Sequence, residues 1–294
     1  MNIVAGAGYY VEPAICSKIQ DIPVEMLEEE IVRQVKIGIG HTNIKAGVIG
    51  EVGVSHVMYP FEKKSLIASC RAQKRTSVPL MVHVNPWSQM GLEAMEIIKK
   101  HEIIVITDEI YAELSYEQKF CSIAAFDEIK DQVILVSGYS KAYAMTGWRL
   151  GYVLANEVLT KAMNKIHQYV IMSAPTGAQY GAIEAMRHCD NEIEEMRKAY
   201  MLRRNYIVKA FNDLGLHTFT PQGAFYVFPC IKSTGMTSDQ FCEELLKDQL
   251  VACVPGTAFG EAGEGFIRVS YAYSIEQIKE ATSRIKKFLD KLKK

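Results

Sequence analysis

The sequence predicts an α/β protein in which a parallel βα layer precedes a C-terminal α+β domain. Over residues 2–169, short apolar runs alternate with amphipathic helical stretches, a pattern typical of βαβ units around a parallel sheet. Beyond about residue 180, short strands mix with helices, which indicates a separate α+β domain. The 294 residues suffice for about two domains of this size.

The elements of the βα layer follow from hydrophobic periodicity and from the positions of glycine and proline. Strands are predicted at residues 2–7, 45–54, 79–84, 103–107, 132–136 and 149–155. Helices are predicted at residues 23–36, 60–75, 91–101 and 157–169. Because helical stretches alternate with the strands, we expect the strands to be parallel.

The C-terminal domain begins with a very long helical region at residues 179–214. Further strands are predicted at residues 218–220, 224–229, 251–254 and 266–270. Two more helices are predicted at residues 238–247 and 275–294. The last of these is a basic amphipathic helix, and its lysine-rich end suits a helix C-terminus.

Composition and charge argue against several classes of protein. The 33 Lys and Arg residues balance 34 Asp and Glu residues without a strongly basic stretch, so we expect no nucleic-acid partner. No apolar run has the length of a membrane span, and residues 1–7 lack the positive charge of a signal peptide. The seven cysteines include no CxxC pair, which favours buried, reduced cysteines in a cytoplasmic protein.

The strongest chemical signal is a lysine directly after a buried strand. Lys141 follows Ser137-Gly-Tyr-Ser140, and Arg149 opens the next predicted strand after a glycine turn. A neutral lysine amine can form a Schiff base with an aldehyde. An arginine can hold a phosphate through paired hydrogen bonds, and the two serine hydroxyls add donors. The combination indicates Schiff-base chemistry at Lys141 and phosphate binding at Arg149.

A second signal is the acid in Asp108-Glu-Ile-Tyr111, at the end of another buried strand. Ligands of open parallel sheets bind at the carboxyl ends of the strands. An aspartate there can keep a pyridine nitrogen protonated, which makes the ring an electron sink. Tyr111, three residues further on, is near enough to reach the same ligand. Alone, such an aspartate is most often a helix cap or a turn residue.

Together these motifs make residues from about 97 to 294 resemble the C-terminal two thirds of a fold-type I, pyridoxal-phosphate-dependent class I/II aminotransferase. The segments that carry the resemblance occur in the family's order. They are Asp108-Glu-Ile-Tyr111, Ser140-Lys141, Gly147-Trp-Arg149-Leu-Gly151-Tyr, Pro221-Gln-Gly-Ala-Phe-Tyr226, Val254-Pro-Gly-Thr-Ala-Phe-Gly260 and Ile267-Arg268-Val-Ser-Tyr-Ala272.

The resemblance assigns cofactor roles to five residues. Lys141 would carry the cofactor and shuttle the proton, and Asp108 would pair with the pyridinium nitrogen. Tyr111 would contact the ring phenolate oxygen, while Ser140 and Arg149 would bind the phosphate. The implied cofactor is pyridoxal 5'-phosphate.

The resemblance also implies the substrates and the assembly. Arg268 would clamp the α-carboxylate of an amino acid or a 2-oxo acid, although an ion pair on an edge strand is its ordinary role. Phe225, Tyr226 and Phe259 are candidates to line the substrate side, but core packing is the role expected first for each. The family further implies a homodimer.

The first ninety-odd residues resemble a different family, the phosphotriesterase-related amidohydrolases, which are metal-dependent (β/α)₈ barrels. The segments are Gly6-Ala-Gly8, Gly40-His-Thr-Asn-Ile-Lys45-Ala-Gly-Val-Ile-Gly-Glu51-Val-Gly and Pro79-Leu-Met-Val-His83-Val. By this resemblance Glu51 would bridge two metal ions and His83 would bind one, with zinc as the expected metal. The family's other ligands are not recognisable, and two ligands do not close a metal site.

The chain is therefore expected to join two partial enzymes near residues 91–100. The predicted parts are a phosphotriesterase-like βα fragment (1–96), a partial pyridoxal-phosphate-binding large domain (97–180) and a small aminotransferase domain (181–294). The aminotransferase family's glycine-rich phosphate loop and ring-stacking aromatic residue are not recognisable, so amino transfer is expected to be impaired. Two alternatives remain, namely a metal-dependent hydrolase and a non-catalytic chimera with exposed apolar edges.

Overall fold

The computed structural model describes residues 5–12, 15–55, 57–84, 90–101, 103–260 and 263–292, and of residues 83, 84 and 90 it describes the backbone. The strands are β1 (Ala5–Ala7), β2 (Ala46–Val54), β3 (Leu80–Val84), β4 (Val105–Asp108), β5 (Val133–Gly138), β6 (Gly151–Leu154), β7 (Tyr226–Val227), β8 (Val254–Pro255) and β9 (Ile267–Ser270). The α-helices are α1 (Ser17–Gln20), α2 (Val24–Lys36), α3 (Pro60–Thr76), α4 (Met90–Lys100), α5 (Tyr139–Ala142), α6 (Glu157–Val170), α7 (Thr176–His188), α8 (Asp190–Asp213), α9 (Ser238–Gln249) and α10 (Ile275–Leu292).

These elements form two compact units, each made of three separate stretches of chain. Unit 1 comprises Met1–Glu109, Cys121–Gly138 and Gly151–Ala174. Unit 2 comprises Ile110–Phe120, Tyr139–Leu150 and Pro175–Lys294. The division reflects spatial contacts, so the boundaries expected from the two resemblances stay predictions. No helix in the described part of the chain is both long enough and apolar enough to cross a membrane.

The first sheet of unit 1 has the order β1-β2-β3, and both strand pairs are parallel as predicted. Helix α2 buries Leu27 and Ile31, which lie four residues apart on one helix face. Helix α3 buries Phe61 and Leu66, and both helices pack together in one core with Ile49 of β2. Apolar residues at helical and strand periods therefore determine this layer.

The second sheet of unit 1 has the order β4-β5-β6, and here one expectation is wrong. Strands β4 and β5 are parallel, but β6 runs antiparallel to β5. The chain between β5 and β6 contains only the four-residue helix α5 and a short 3₁₀ turn. Such a connection returns the chain beside the strand it left, whereas a parallel crossover needs a full helix across the sheet.

Much of the apolar surface around this second sheet is uncovered. Strand β6 is exposed along its whole length, including Val153 and Leu154. Helix α6 is amphipathic yet buries none of its residues, and Ile166 and Tyr169 are exposed. Soluble monomers rarely expose contiguous apolar area of this kind. Strand β6 and helix α6 therefore present apolar side chains to solvent.

Unit 2 contains a small antiparallel sheet with the order β7-β9-β8. Its core joins Phe211 of α8, Phe241 of α9 and Phe288 of α10 with Tyr271, which follows β9. The rings of Phe241 and Phe288 meet edge to face at 5.4 Å between centroids. The predicted amphipathic C-terminal helix is confirmed as α10, which buries one face in this core.

Two other local predictions for unit 2 are wrong. The helical region 179–214 is not continuous, because α7 ends and α8 begins on either side of Cys189. Residues 218–220 do not form a strand. The backbone N–H of Thr218 donates to the side chain of Asn212 at 3.0 Å, so this hydrogen bond goes to a helix side chain instead of a sheet.

A buried carboxylate organises the start of α3 in unit 1. Glu62 is fully buried and accepts hydrogen bonds from the backbone N–H groups of Glu12 (2.9 Å), Ser55 (3.0 Å) and Tyr59 (3.2 Å). The hydroxyl of Ser55 donates to it as well, at 2.5 Å. One side chain thereby ties the chain after β1 and the end of β2 to the helix.

We expect Glu62→Gln to lower the free energy of unfolding by about 2 kcal/mol, because the amide NH₂ group would face N–H donors that now find an acceptor. The measurement is urea unfolding followed by circular dichroism. Glu93→Gln is the matched control, since Glu93 forms an exposed ion pair with Lys63 at 3.1 Å and should change stability by at most about 0.5 kcal/mol. Equal effects of the two substitutions would contradict this role of Glu62.

Candidate active site

Lys141 lies on the short helix α5 of unit 2, beside two aromatic rings. Its Nζ atom is 5.6 Å from the centroid of the Tyr111 ring and 5.3 Å from that of Phe225. The two rings meet edge to face, with centroids 5.7 Å apart. Among the described residues of this unit, no carboxylate lies within ion-pair distance of Lys141. Within this unit, the described contacts of the amine are therefore with aromatic faces rather than with a carboxylate.

Arg268 on β9 lies between two other aromatic rings. Its guanidinium carbon is 4.7 Å from the centroid of Tyr226 and 4.6 Å from that of Phe259. The rings of Phe225 and Tyr226 are themselves 4.8 Å apart. A continuous set of contacts, called here the aromatic bridge, thus runs from Lys141 through Phe225 and Tyr226 to Arg268. It joins the predicted cofactor lysine to the predicted carboxylate clamp.

The ordinary role considered for Arg268, an ion pair on an edge strand, does not hold. Strand β9 is the central strand of its sheet. Within the described residues of unit 2, no carboxylate pairs with Arg268. Stacking between rings fixes the plane of a guanidinium and leaves its N–H fork for a ligand. Arg268 is therefore oriented but has no anionic partner of its own in this unit.

The aromatic bridge is positioned by pairing between residues 110–120 and residues 221–226. The backbone N–H of Tyr116 donates to the carbonyl of Gln222 at 2.8 Å, and that of Ala224 donates to Leu114 at 3.0 Å. The backbones approach so closely at Gly223 that a Cβ there would lie 3.0 Å from the Leu114 carbonyl oxygen. Residues 110–120 and residues 221–226, which are remote in sequence, are therefore hydrogen-bonded side by side in the structure.

Two tyrosine hydroxyls converge on one backbone carbonyl at this pairing. Tyr116 and Tyr271 both donate to the carbonyl oxygen of Ala224, the latter at 3.0 Å. Ala224 has a left-handed φ of 58° and directly precedes the ring of Phe225. Burial raises the pKa of Tyr116 to about 12, and burial together with the neighbouring Tyr116 raises the pKa of Tyr271. Both hydroxyls therefore stay protonated donors near neutral pH.

A buried arginine contacts both of the paired segments, residues 110–120 and 221–226. Arg204 of α8 is 3 % exposed and forms an ion pair with Glu117 at 2.6 Å. It also donates to the carbonyl of Pro221 at 3.0 Å, and its guanidinium lies 4.9 Å from the Tyr116 ring centroid. Sequence reasoning did not single out Arg204, Tyr116 or Tyr271. The sequence offers a signal for the two tyrosines only. Tyr271 lies inside the segment 267–272, and Tyr116 follows Tyr111 by five residues.

The predicted phosphate-binding residues also lie in unit 2. Ser140 is half-buried on α5, one residue before Lys141. Arg149 does not open the next strand as predicted, because it ends a 3₁₀ turn with a left-handed φ of 52° and β6 begins at Gly151. Its guanidinium is exposed and donates to the carbonyl of Thr146 at 2.8 Å. The turn itself orients the guanidinium.

The aspartate predicted to bind a ring nitrogen lies in unit 1. Asp108 is the last residue of β4, it is exposed, and its register partner on parallel β5 is Val136. The adjacent Glu109 is buried, and its carboxylate accepts from the hydroxyl of Ser122 at 2.9 Å and from Thr107 at 3.3 Å. Of the two neighbouring acids, Glu109 makes structural hydrogen bonds inside unit 1. Asp108 is exposed at the end of β4.

The predicted metal ligands lie on the first sheet of unit 1. Glu51 is exposed on β2, three residues before the end of that strand. The backbone of His83 pairs with Gly53, but the side chain of His83 lies outside the described residues. Among the side chains that the structure describes, no group of three or more His, Cys, Asp or Glu could hold a metal ion. The metal site stays a prediction.

Comparison with known proteins agrees with this geometry. The family model for aminotransferase class I and II matches residues 87–285. The chain belongs to the class I and II aminotransferase family. The resemblance of residues from about 97 onwards is thereby confirmed, with a start about ten residues earlier, and members of this family use pyridoxal phosphate. The phosphotriesterase family model matches residues 1–108, which confirms the second resemblance.

Comparison with individual relatives gives the aligned share of each chain. A putative aminotransferase, YugH, of Bacillus subtilis is 53% identical over 199 residues, covering 68% of this chain and 52% of that protein. An aspartate aminotransferase of Pyrococcus abyssi is 44% identical, covering 67% and 51%. The structure of an aromatic aminotransferase from Pyrococcus horikoshii matches with a TM-score of 0.67 at 33% identity, over 80% of this chain and 72% of that one. The chain spans about half the length of these curated relatives.

The free energy of unfolding at alkaline pH should depend on the Tyr116 hydroxyl that donates to Ala224. The pKa of Tyr116 is raised from 10.0 to about 12 in the fold, so the unfolded chain loses this proton first. The stability that Tyr116 contributes is therefore complete below about pH 10 and is lost towards about pH 12. We expect Tyr116→Phe to flatten the fall of unfolding free energy over this range, measured by denaturant unfolding at several pH values.

Tyr273→Phe provides the matched control, because the Tyr273 side chain is exposed. It should keep the alkaline loss of the unsubstituted protein. If Tyr116→Phe retains the full alkaline loss as well, the Tyr116 hydroxyl is not the group responsible.

Proposed function

We propose that this chain carries out pyridoxal-phosphate-dependent amino transfer between an amino acid and a 2-oxo acid. The observation that carries the proposal is the aromatic bridge, which joins Lys141 to Arg268 within one compact unit. Membership of the aminotransferase family supports it. Because the chain spans about half of its curated relatives, the activity of the whole protein is a proposal rather than a finding.

The donor set of the chain fits the cofactor. Lys141 offers a primary amine for the aldehyde, beside two aromatic rings and with no carboxylate of its unit within ion-pair distance among the described residues. Ser140 and Arg149 offer a hydroxyl and a guanidinium for a phosphate. Asp108 offers a carboxylate at a strand end for a pyridinium nitrogen, and Tyr111 offers a phenol for the ring oxygen. When bound, pyridoxal phosphate supplies an electron sink for negative charge at the substrate α-carbon.

Arg268 and Lys141 have separate roles in the proposed reaction. The fork of Arg268 binds the α-carboxylate by two parallel hydrogen bonds and so fixes the orientation of the α-carbon. The amine of Lys141 takes the α-proton and returns it, acting as base and then as acid. The rings of Phe225 and Tyr226, 4.8 Å apart, provide an apolar surface between these groups.

The finer architecture and the assembly are part of the proposal. Residues 97–180 would be a partial large domain and residues 181–294 the small domain, preceded by a phosphotriesterase-like fragment at 1–96. A homodimer and a lowered rate are proposed from the family alone. The uncovered apolar surface of β6 and α6 supports an incomplete large domain. The metal-dependent hydrolase is the alternative, and it rests on Glu51 and on His83, whose side chain lies outside the described residues.

Replacing Lys141 should remove the cofactor linkage. We expect the purified chain titrated with pyridoxal phosphate to develop a stoichiometric visible absorption band, and Lys141→Ala to lack it. Turnover should fall by about 10³-fold or more, because both the covalent attachment and the proton transfer are lost.

Lys119→Ala is the matched control for this titration, because Lys119 is an exposed lysine of the same unit. It should retain the band. A band of equal size in Lys141→Ala would assign the amine elsewhere, and no band in the folded unsubstituted protein would refute the proposed function.

Replacing the carboxylate clamp should affect substrate binding more than turnover. Arg268→Lys keeps the positive charge but removes the planar fork and its stacking, so we expect KM to rise about 10- to 100-fold. The measurement is the spectral change of the bound cofactor on adding L-aspartate or L-phenylalanine, the substrate types that the names of relatives suggest.

Arg284→Lys serves as the control, since Arg284 pairs with Glu280 on α10. It should leave KM unchanged. If Arg268→Lys leaves KM unchanged as well, Arg268 does not bind the α-carboxylate.

A further inference from the structure

Two cysteines that lie outside the recognised motif segments meet in unit 2. Cys242 lies on α9 beside Phe241, and Cys253 directly precedes β8. They are 11 residues apart in sequence, and their Sγ atoms are 3.3 Å apart. Cys242 is buried and Cys253 is half-buried. The sulfur atoms are in direct contact.

We propose that Cys242 and Cys253 form a redox modification site, which a hydroperoxide converts reversibly into an intramolecular disulfide. A disulfide bond has a length of about 2.0 Å, so the two sulfur atoms need to approach each other by only about 1.3 Å. The chain between them contains about two helical turns at the end of α9 and a short irregular segment, which can accommodate so small an adjustment. The proposal does not rest on the proposed function.

The contact between the two thiols also lowers the pKa of one of them, Cys242. The hydrogen bond from the Cys253 thiol lowers the pKa of Cys242, and the same bond together with burial raises the pKa of Cys253. The thiolate is the nucleophilic form of cysteine, so Cys242 is the attacking group and Cys253 the resolving one. A nucleophilic cysteine next to a resolving cysteine is the arrangement of redox-sensitive sites.

The reaction balances with a hydroperoxide as the oxidant. The Cys242 thiolate attacks the terminal peroxide oxygen, so that an S–O bond forms, the O–O bond breaks and an alcohol or water leaves with a proton. The Cys253 sulfur then attacks the Cys242 sulfur, so that the S–S bond forms, the S–O bond breaks and water leaves with the Cys253 proton. The two thiols lose two electrons, and the hydroperoxide gains them.

The disulfide would fasten α9 to the strand beside the carboxylate clamp. Val254, the residue after Cys253, is the register partner of Arg268 on β9. A second tie already joins the same parts, because the Thr257 hydroxyl donates to Asp239 of α9 at 3.1 Å. The oxidised protein would therefore hold β8 at both ends.

The test uses the full chain, reduced, desalted and treated with hydrogen peroxide. Remaining thiols are alkylated, and the protein is analysed by intact mass and by peptide mapping without reduction. We expect two of the seven thiols to be lost together, a cross-linked peptide pair containing Cys242 and Cys253, and full recovery of both thiols with dithiothreitol. Separate recovery of the two cysteines as alkylated or over-oxidised residues, or disulfides between chains only, would overturn the proposal.

Single substitutions complete the test. Cys242→Ser and Cys253→Ser should each abolish the cross-link. Cys230→Ser, which replaces a half-buried cysteine of the same unit, should keep it. A reversible two-thiol loss that persists in Cys253→Ser would assign the chemistry to other cysteines. Because the peptide map of the unsubstituted protein identifies the linked residues directly, the result stands even if one variant does not fold.

Discussion

The candidate site depends on the convergence of two hydroxyl groups on the carbonyl of Ala224. Tyr116 and Tyr271 come from segments more than a hundred residues apart, and both donate to this one oxygen. The left-handed Ala224 then turns the chain so that Phe225 and Tyr226 reach Lys141 and Arg268. Without these hydrogen bonds, a buried carbonyl would be unsatisfied and the loop would lose its fixed direction.

The electrostatics of unit 2 follow a simple division. Arg204, which is buried, has its charge satisfied by Glu117 and serves the fold. Lys141 and Arg268 are instead surrounded by aromatic rings, and no carboxylate among the described residues of that unit pairs with them. Aromatic faces hold a cation in place at a lower energetic cost to ligand binding than an ion pair that must first be broken. Lys141 and Arg268, which have no carboxylate partner among the described residues of that unit, are the groups assigned to the cofactor and to the substrate carboxylate.

The two family matches describe two different parts of one chain. The phosphotriesterase match covers the parallel β1-β2-β3 sheet, whose helices bury a complete local core. The aminotransferase match covers the second sheet, where β6 and α6 remain uncovered, and the whole of the small antiparallel sheet. Unit 2 has its own apolar core around Phe211 and Phe241. Order at the aromatic bridge therefore requires only contacts inside that unit.

The amino-acid sequence by itself determined the local elements and the identity of the chemical groups. Period-based patterns gave α2, α3 and α10 to within about two residues, because each helix buries residues spaced three to four apart. The motif spacing marked Lys141 and Asp108 as candidates, whereas Arg268 became a candidate only through the family resemblance. Only the tertiary structure decided the antiparallel direction of β6, the left-handed Arg149, the division at Cys189, the carbonyl of Ala224 and the contact of Cys242 with Cys253. Each of these depends on residues that are remote in sequence or on a single backbone angle, and neither leaves a periodic trace in the chain.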